Sequence, residues 1–515
     1  FVAGTRARGS DDQQDTLRKA RPREAQPRRP KDPPEEMSRQ AALLGALGLL
    51  IASCSSIPVD LPARGAADYP LADTSDLITK LPGIPAGVTF KQYAGYIPVG
   101  AGKSLFYWFV ESEEKPATDP LVLWTNGGPG CSGLTGFLSE QGPFRANAAG
   151  ELDLNTYAWN KFANMVFIEQ PAGVGFSTAP AGIPYGDEEA ATDNLMFVKG
   201  FLAKYPQFKS NDFYITSESY GGHYLPTLAA KLVGEPSINF KGFAVGNPLT
   251  WMPYRDFGQY ATYADHQLVP KPLWDKFVAA GCATKTESVV CQSMMEEMDE
   301  LTQDLDPYGL DFPICAQQSK AHGRHERHAL ASKIKKIKEQ QGLKGYFPRG
   351  YRPCVDDYMM GYLNRKDVQM AIHVAVPGSV YWGPCNDEIN AGYNVSDVIA
   401  PMMPVYDSLI AHGGLKILVY SGDDDSICST QGTQMWVWDL KSNKAEGPTD
   451  PWRPWYTAKQ VSGYTVAWKG MRFATVHGAG HMVPATRPLQ ALRLFRRFLQ
   501  DKWGDEHPHQ EPTEE

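Results

Sequence analysis

Asp212-Phe-Tyr-Ile-Thr-Ser-Glu-Ser-Tyr-Gly-Gly-His-Tyr224 decides how this 515-residue chain is read. Aromatic and β-branched residues make 213–216 an apolar run of strand type. Ser217-Glu218-Ser219-Tyr220-Gly221 joins that run directly to a helical stretch at 221–232. The junction follows the pattern G-x-S-x-G, with Ser217 in the place of the first glycine. A sharp strand-to-helix turn brings the two elements close together and needs small residues on both sides; serine is small enough. The turn would raise the Ser219 hydroxyl above the sheet, where it can act as a nucleophile. Taken alone, the same serine also fits a simple helix N-cap.

A hydroxyl is a weak nucleophile and needs a base beside it. Val476-His477-Gly478-Ala479-Gly480-His481-Met482-Val483-Pro484 follows the last apolar run, and its glycines let the His481 ring reach inward. His477 and the histidines at 322–328 are rivals that lack this position. An imidazole base needs an orienting carboxylate. The run at 415–420 leads into Ser421-Gly422-Asp423-Asp424-Asp425, three aspartates that spacing alone does not separate. Serine, then aspartate, then histidine is the chain order of the α/β-hydrolase fold. Acyl transfer also needs backbone N–H groups for an oxyanion. Asn126-Gly127-Gly128-Pro129-Gly130-Cys131, just after the run at 121–125, offers them.

The surrounding pattern agrees. Apolar runs at 105–110, 121–125, 165–168, 213–216 and 243–245 alternate with helical stretches at 188–202 and 221–232. Runs at 415–420, 465–468 and 472–476 follow, with a turn at Lys469-Gly470 and a final helix at 489–499. This alternation predicts an α/β fold, a mostly parallel central sheet flanked by helices. The pattern breaks from 251 to 353, where Cys282, Cys291 and Cys315 lie, with Cys354 just beyond. A basic, His-rich run at 320–328 and a lysine-rich one at 333–338 fall in the same stretch. It reads as an inserted, disulfide-bearing cap with an exposed loop.

Composition narrows the class. Apolar residues make up 42% and aromatics 11%, which excludes global disorder. A net charge of −8 speaks against a nucleic-acid partner. The thirteen-residue apolar run 41–53 is too short to span a bilayer, which takes about 20 residues, so stable membrane insertion is not expected. With Met37 and Arg39 before it and small residues after it, the run resembles a secretory signal; Cys54 leaves a lipid-anchored reading open. Leader residues 1–56 carry net +3, so the total of −8 less that leader leaves −11. The expected organisation is a disordered or non-native leader at 1–36 and a signal peptide at 37–56. The hydrolase core follows at 57–250, the cap at 251–360, the second part of the core at 361–505, and a polar tail at 506–515. Seven cysteines remain beyond the leader, which suits a secreted chain with three disulfides and one free thiol.

Taken together, these residues resemble the serine carboxypeptidase family. The matching stretches are Trp124-Thr-Asn-Gly-Gly-Pro-Gly-Cys-Ser132, Glu218-Ser-Tyr-Gly-Gly-His-Tyr224, Gly422-Asp-Asp-Asp-Ser-Ile-Cys428 and Gly480-His-Met-Val-Pro484. Glu169-Gln-Pro-Ala-Gly-Val-Gly-Phe-Ser177 and Asn364-Arg-Lys-Asp-Val-Gln369 match less closely. The resemblance selects Asp425 as the acid, giving a triad of Ser219, Asp425 and His481. It implies Gly128 and Tyr220 as oxyanion donors and Asn126, Glu140 and Glu218 as ligands of the substrate carboxylate. It further implies a Cys131–Cys385 disulfide and an unpaired Cys428. In the cap, the sequential pairs Cys282–Cys291 and Cys315–Cys354 are expected, and the basic loop suits the cleavage seen in related members. Asn394, in Asn394-Val395-Ser396, is the one N-glycosylation sequon. The chain departs from the family pattern at Thr125, Ser217 and Gly133.

The function implied is release of C-terminal amino acids from peptides or proteins at acidic pH through an acyl-enzyme, with no metal or cofactor. The location implied is the secretory pathway, ending outside the cell or in a vacuole or lysosome. Two rivals are an acyltransferase on the same scaffold and a protective or binding protein with secondary peptidase activity. Oligomeric state stays open, a homodimer included.

Overall fold

The computed structural model describes residues 74–283, 285, 288–315 and 351–503. The leader, the signal segment, Cys54, the basic runs at 320–338 and the polar tail all lie outside the described residues. Everything described belongs to one unit that spans residues 69–515.

Twelve strands are present among the described residues: β1 (Gln92–Gly100), β2 (Lys103–Val110), β3 (Leu121–Thr125), β4 (Phe144–Ala146), β5 (Leu152–Leu154), β6 (Asn164–Ile168), β7 (Phe213–Glu218), β8 (Phe240–Gly246), β9 (Lys416–Gly422), β10 (Asp450–Thr457), β11 (Gln460–Trp468) and β12 (Met471–Val476). Ten of them form one sheet in the order β1-β2-β6-β3-β7-β8-β9-β12-β11-β10, and β4 and β5 pair separately. The six central strands, from β6 to β12, run parallel. The outer strands on both sides are antiparallel. All six residues of β7 and all five of β3 and β6 are buried, as expected of strands covered on both faces.

Helices cover the sheet. Asp187–Lys204 and Gly221–Leu232 pack on one face, where Phe197, Phe201, Leu225 and Leu228 meet Phe109, Ile215 and Phe243. The amphipathic helix Pro488–Gln500 lies on the other, placing Leu494, Phe495 and Phe498 against Trp124, Tyr214 and Leu418. Proline at position 226 removes one N–H from the helix Gly221–Leu232 and so frees the Gly222 carbonyl. The Tyr406 hydroxyl donates to that carbonyl at 3.4 Å.

Between β8 and β9 the chain leaves the sheet. Met252–Asp265, Lys271–Ala279 and Val289–Thr302 are helices with a core of their own, built around Tyr260, Tyr263, Phe277 and Met298. Cys282–Cys291 is buried inside it. The segment then returns to the sheet and is tied down by Cys315–Cys354.

Candidate active site

In a parallel sheet the loops at the carboxyl ends of adjacent strands converge. Here β3, β7, β9 and β12 deliver the 126–131 loop, Ser219, Asp425 and His481 to the same end. Ser219 directly follows β7 with φ of +59°, a left-handed backbone that a serine adopts only in a tight junction. It is half-buried, while Glu218 and Tyr220 on either side are fully covered. Gly221 is required because a Cβ there would lie 2.1 Å from the Ser217 hydroxyl oxygen. Ser217 thus fills the space beside the helix start.

His481 and Asp425 are buried together, with Nδ1 to Oδ2 at 2.7 Å. The acid is heavily bonded. Its Oδ1 accepts from the Ile427 N–H at 2.8 Å, and Oδ2 from the Cys428 N–H at 3.2 Å and from the Asn247 amide at 2.8 Å. The Ser219 hydroxyl contacts the Cys428 thiol, next to this acid. Among the described residues no hydrogen bond joins Ser219 to His481. Catalytic contacts of this kind are often completed only when substrate binds. Burial pushes the Cys428 thiol well up, so it stays protonated.

The three aspartates have three separate contacts. Asp423 holds the His loop from outside, accepting from the Gly478 N–H at 2.6 Å and facing the exposed His477 ring at 2.9 Å. Asp424 points into the cap, where Oδ2 accepts from the Asp311 N–H at 3.0 Å and Oδ1 lies 3.5 Å from His266 Nε2. Only Asp425 faces His481.

Beside Ser219 lies a second cluster. The Asn126 amide donates to Glu218 Oε1 at 2.8 Å and to Glu140 Oε1 at 3.2 Å. Its own carbonyl oxygen accepts from Trp124 Nε1 and the Gly136 N–H, which fixes the amide's orientation. Both carboxyls are buried, and they lie within hydrogen-bond reach of each other. Burial pushes Glu140 up to about 7. Glu218 is raised well above the usual carboxylate range, first by burial and then by the neighbouring Glu140 charge.

Gly127 packs against the elbow so closely that a Cβ would sit 2.5 Å from the Tyr220 nitrogen and 2.8 Å from Ser219 Cβ. Gly128 has φ of +114°, open only to glycine. The 126–131 loop and the turn at Ser219 are therefore in contact. Cys131–Cys385 joins that loop to the second half of the core. Cys428 is the free cysteine among the described residues, and it is buried. Asn394 is exposed, with its Oδ1 accepting from the Ser396 N–H.

The serine carboxypeptidase family model matches residues 82–501. The chain belongs to the serine carboxypeptidase family. It is therefore a hydrolase of the α/β-hydrolase fold. Serine carboxypeptidase 24 of Arabidopsis thaliana is 40% identical over 447 residues, 83% of this chain and 92% of that relative. Serine carboxypeptidase-like 26 of the same plant is 39% identical over 443 residues, 83% of this chain and 93% of that relative. A prohormone-processing carboxypeptidase from Saccharomyces cerevisiae shares the fold with a TM-score of 0.65 at 19% identity, covering 80% of this chain and 92% of that one.

Two site residues escaped the sequence reading. Asn247, fully buried at the end of β8, orients Asp425; the polar Asn after an apolar strand was its one signal. Tyr308, in the cap, lays its ring edge-on to His481 at 5.1 Å, and its carbonyl accepts from the His481 N–H at 2.7 Å. Nothing in a single sequence links position 308 to 481.

Proposed function

We propose that this chain is a carboxypeptidase that releases C-terminal amino acids from peptides at acidic pH. Ser219 attacks the last peptide carbonyl as His481 takes its proton. Asp425 holds the imidazole in the required tautomer and balances the imidazolium. The N–H groups of Gly128 and Tyr220 receive the oxyanion. His481 then protonates the leaving amino acid, and water, activated by the same imidazole, hydrolyses the acyl-enzyme.

The observation that carries the reading is the buried trio Asn126, Glu140 and Glu218 next to the nucleophile. Two acids suit an anionic chain end only when protonated, because a neutral carboxyl donates a hydrogen bond. Their raised pKa values supply that state in acid. An endopeptidase or esterase has no need of such a pair. Three disulfides support passage through an oxidising secretory compartment, and Asn394 is exposed for glycosylation. No helix among the described residues is long and apolar enough to cross a membrane.

Ser219→Ala tests the nucleophile. The variant should fold, by circular dichroism, and lose release of C-terminal residues from a mixed peptide set by at least about 10⁴-fold. Retained activity overturns the assignment. Faster turnover of an activated acyl ester onto an alcohol than of any peptide would move the reading to acyl transfer.

A further inference from the structure

Asp187 opens the helix Asp187–Lys204 and is almost fully buried. Its Oδ1 accepts from the Tyr220 hydroxyl at 3.1 Å and from the Tyr393 hydroxyl at 2.9 Å. Its Oδ2 meets His223 Nδ1 at 3.0 Å. The Tyr220 and His223 rings stack with centroids 4.6 Å apart and planes 8° apart. Tyr220, His223 and Tyr393 are all buried. Burial, followed by the Asp187 charge, raises the Tyr220 phenol and keeps it a donor. One carboxylate thus gathers three donors around the residue that follows the nucleophile, and none of the three belongs to the acid–base pair.

The loop of the other oxyanion donor is fastened to the same structure. Cys131 is bonded to Cys385, the Asn386 N–H donates to the Gly130 carbonyl at 2.9 Å, and the Asn390 amide donates to the Pro129 carbonyl at 2.9 Å. The segment that makes these contacts runs on to Tyr393, which ends on Asp187. The Gly130 N–H reaches the Tyr224 hydroxyl at 3.3 Å and closes the ring. One continuous brace therefore runs from Pro129, Gly130 and Cys131, which directly follow Gly128, through 385–393 and Asp187 to Tyr220.

We propose that Asp187 is a positioning residue that sets the spacing of the Gly128 and Tyr220 backbone N–H donors. The proposal rests on the carboxypeptidase reading given above. Backbone donors stabilise an oxyanion only when held close to where it forms, and Ser219, beside the Tyr220 donor, has a left-handed backbone with φ of +59°. Pinning the Tyr220 ring anchors that junction. Asp187 touches no reacting atom.

The test uses the whole enzyme. Tyr220→Phe removes the hydroxyl and keeps the backbone N–H; Asp187→Asn removes the charge and keeps the shape. Active sites are titrated with a serine-reactive organophosphonate, so that misfolded protein does not enter kcat. The probe for the tetrahedral state is a peptide aldehyde, whose carbon bonds to Ser219 Oγ while its oxygen enters the oxyanion site. Each variant should lose about 10- to 100-fold in kcat and in aldehyde affinity, with KM and product affinity changed by less than about twofold. The double variant should be no worse than the poorer single one, because both act through one contact. If Asp187→Asn does not fold, Tyr393→Phe is read in the same way. Titrated variants that keep both kcat and aldehyde affinity, or that lose KM alone, would overturn the proposal. Failure of the wild type itself to release C-terminal residues would overturn the functional reading instead.

Discussion

Asn247 shows how much of this site depends on one uncharged side chain. Its amide donates to Asp425 Oδ2 at 2.8 Å and its carbonyl oxygen accepts from the Gly422 N–H at 2.9 Å, so it fixes both the acid and the strand end that carries it. On the proposed mechanism, Asn247→Leu keeps Ser219, His481 and Asp425 and removes the bond that aligns the acid. The expected result, read by steady-state kinetics on a peptide, is a fall in kcat of about 10- to 100-fold with little change in KM. The placement of Ser219 and His481 in turns at the sheet end was legible in the sequence, because glycines flag tight turns. Asp425 was not separable from Asp423 and Asp424 by residue type, because all three are aspartates in one turn. Their different partners are Gly478 and His481, in the loop after β12, and Asp311, from the segment between β8 and β9, all far in sequence from the aspartates. Asn247 was missed for the same reason: its role exists only where β8 lies beside β9.

At the scale of elements, the segment between β8 and β9 does more than build its own small core. Residues 307–311 run across the loops that carry Asp425 and His481. Ser426 donates to the Pro307 carbonyl through its N–H at 3.0 Å and its hydroxyl at 2.7 Å, His481 N–H bonds the Tyr308 carbonyl, and Leu310 N–H bonds the Asp424 carbonyl at 3.1 Å. Asp424 is buried and anchors this strap through Asp311. Asp424→Ala removes a hydrogen bond to a buried charged group, a loss of about 2 kcal/mol. Hydrogen exchange at 308–311 should speed up, and kcat should fall with it; unchanged exchange would show that the strap is held elsewhere. The parallel core strands were visible as apolar runs because they are buried on both faces. β1 and β10 were not, since they are sheet edges and carry polar residues and proline. The cap helices were hidden as well. Their apolar residues serve a small separate core, and disulfides share the work of holding it.

Across the whole molecule, burial of acids links stability to pH. Glu140 and Glu169 are both pushed up to about 7 by burial. Glu169 lies outside the catalytic groups and is held by Ser132, Trp382 and the Phe176 N–H, each at 2.6 Å. Folded values above the ordinary 4.5 mean that these groups favour the folded state most below that pH, and that this contribution is lost as pH rises through about 7. The melting temperature should therefore fall between pH 5 and pH 8; a rise over that range would contradict the assignment. The fold class was readable in both halves of the core, because four sheet-end loops, after β3, β7, β9 and β12, each carried their own glycine or serine signature. The buried acid pair was not readable as a pair from residues alone, since positions 140 and 218 meet only after the sheet forms. That pair also supports the most direct test. The kcat/KM for a peptide with a free C-terminus and for the same peptide as its C-terminal amide is measured from pH 5 to pH 8. The free acid should be strongly preferred at pH 5, and the preference should decline above about pH 7 as Glu140 ionises. Equal rates for acid and amide at pH 5, or a preference that grows toward pH 8, would contradict it.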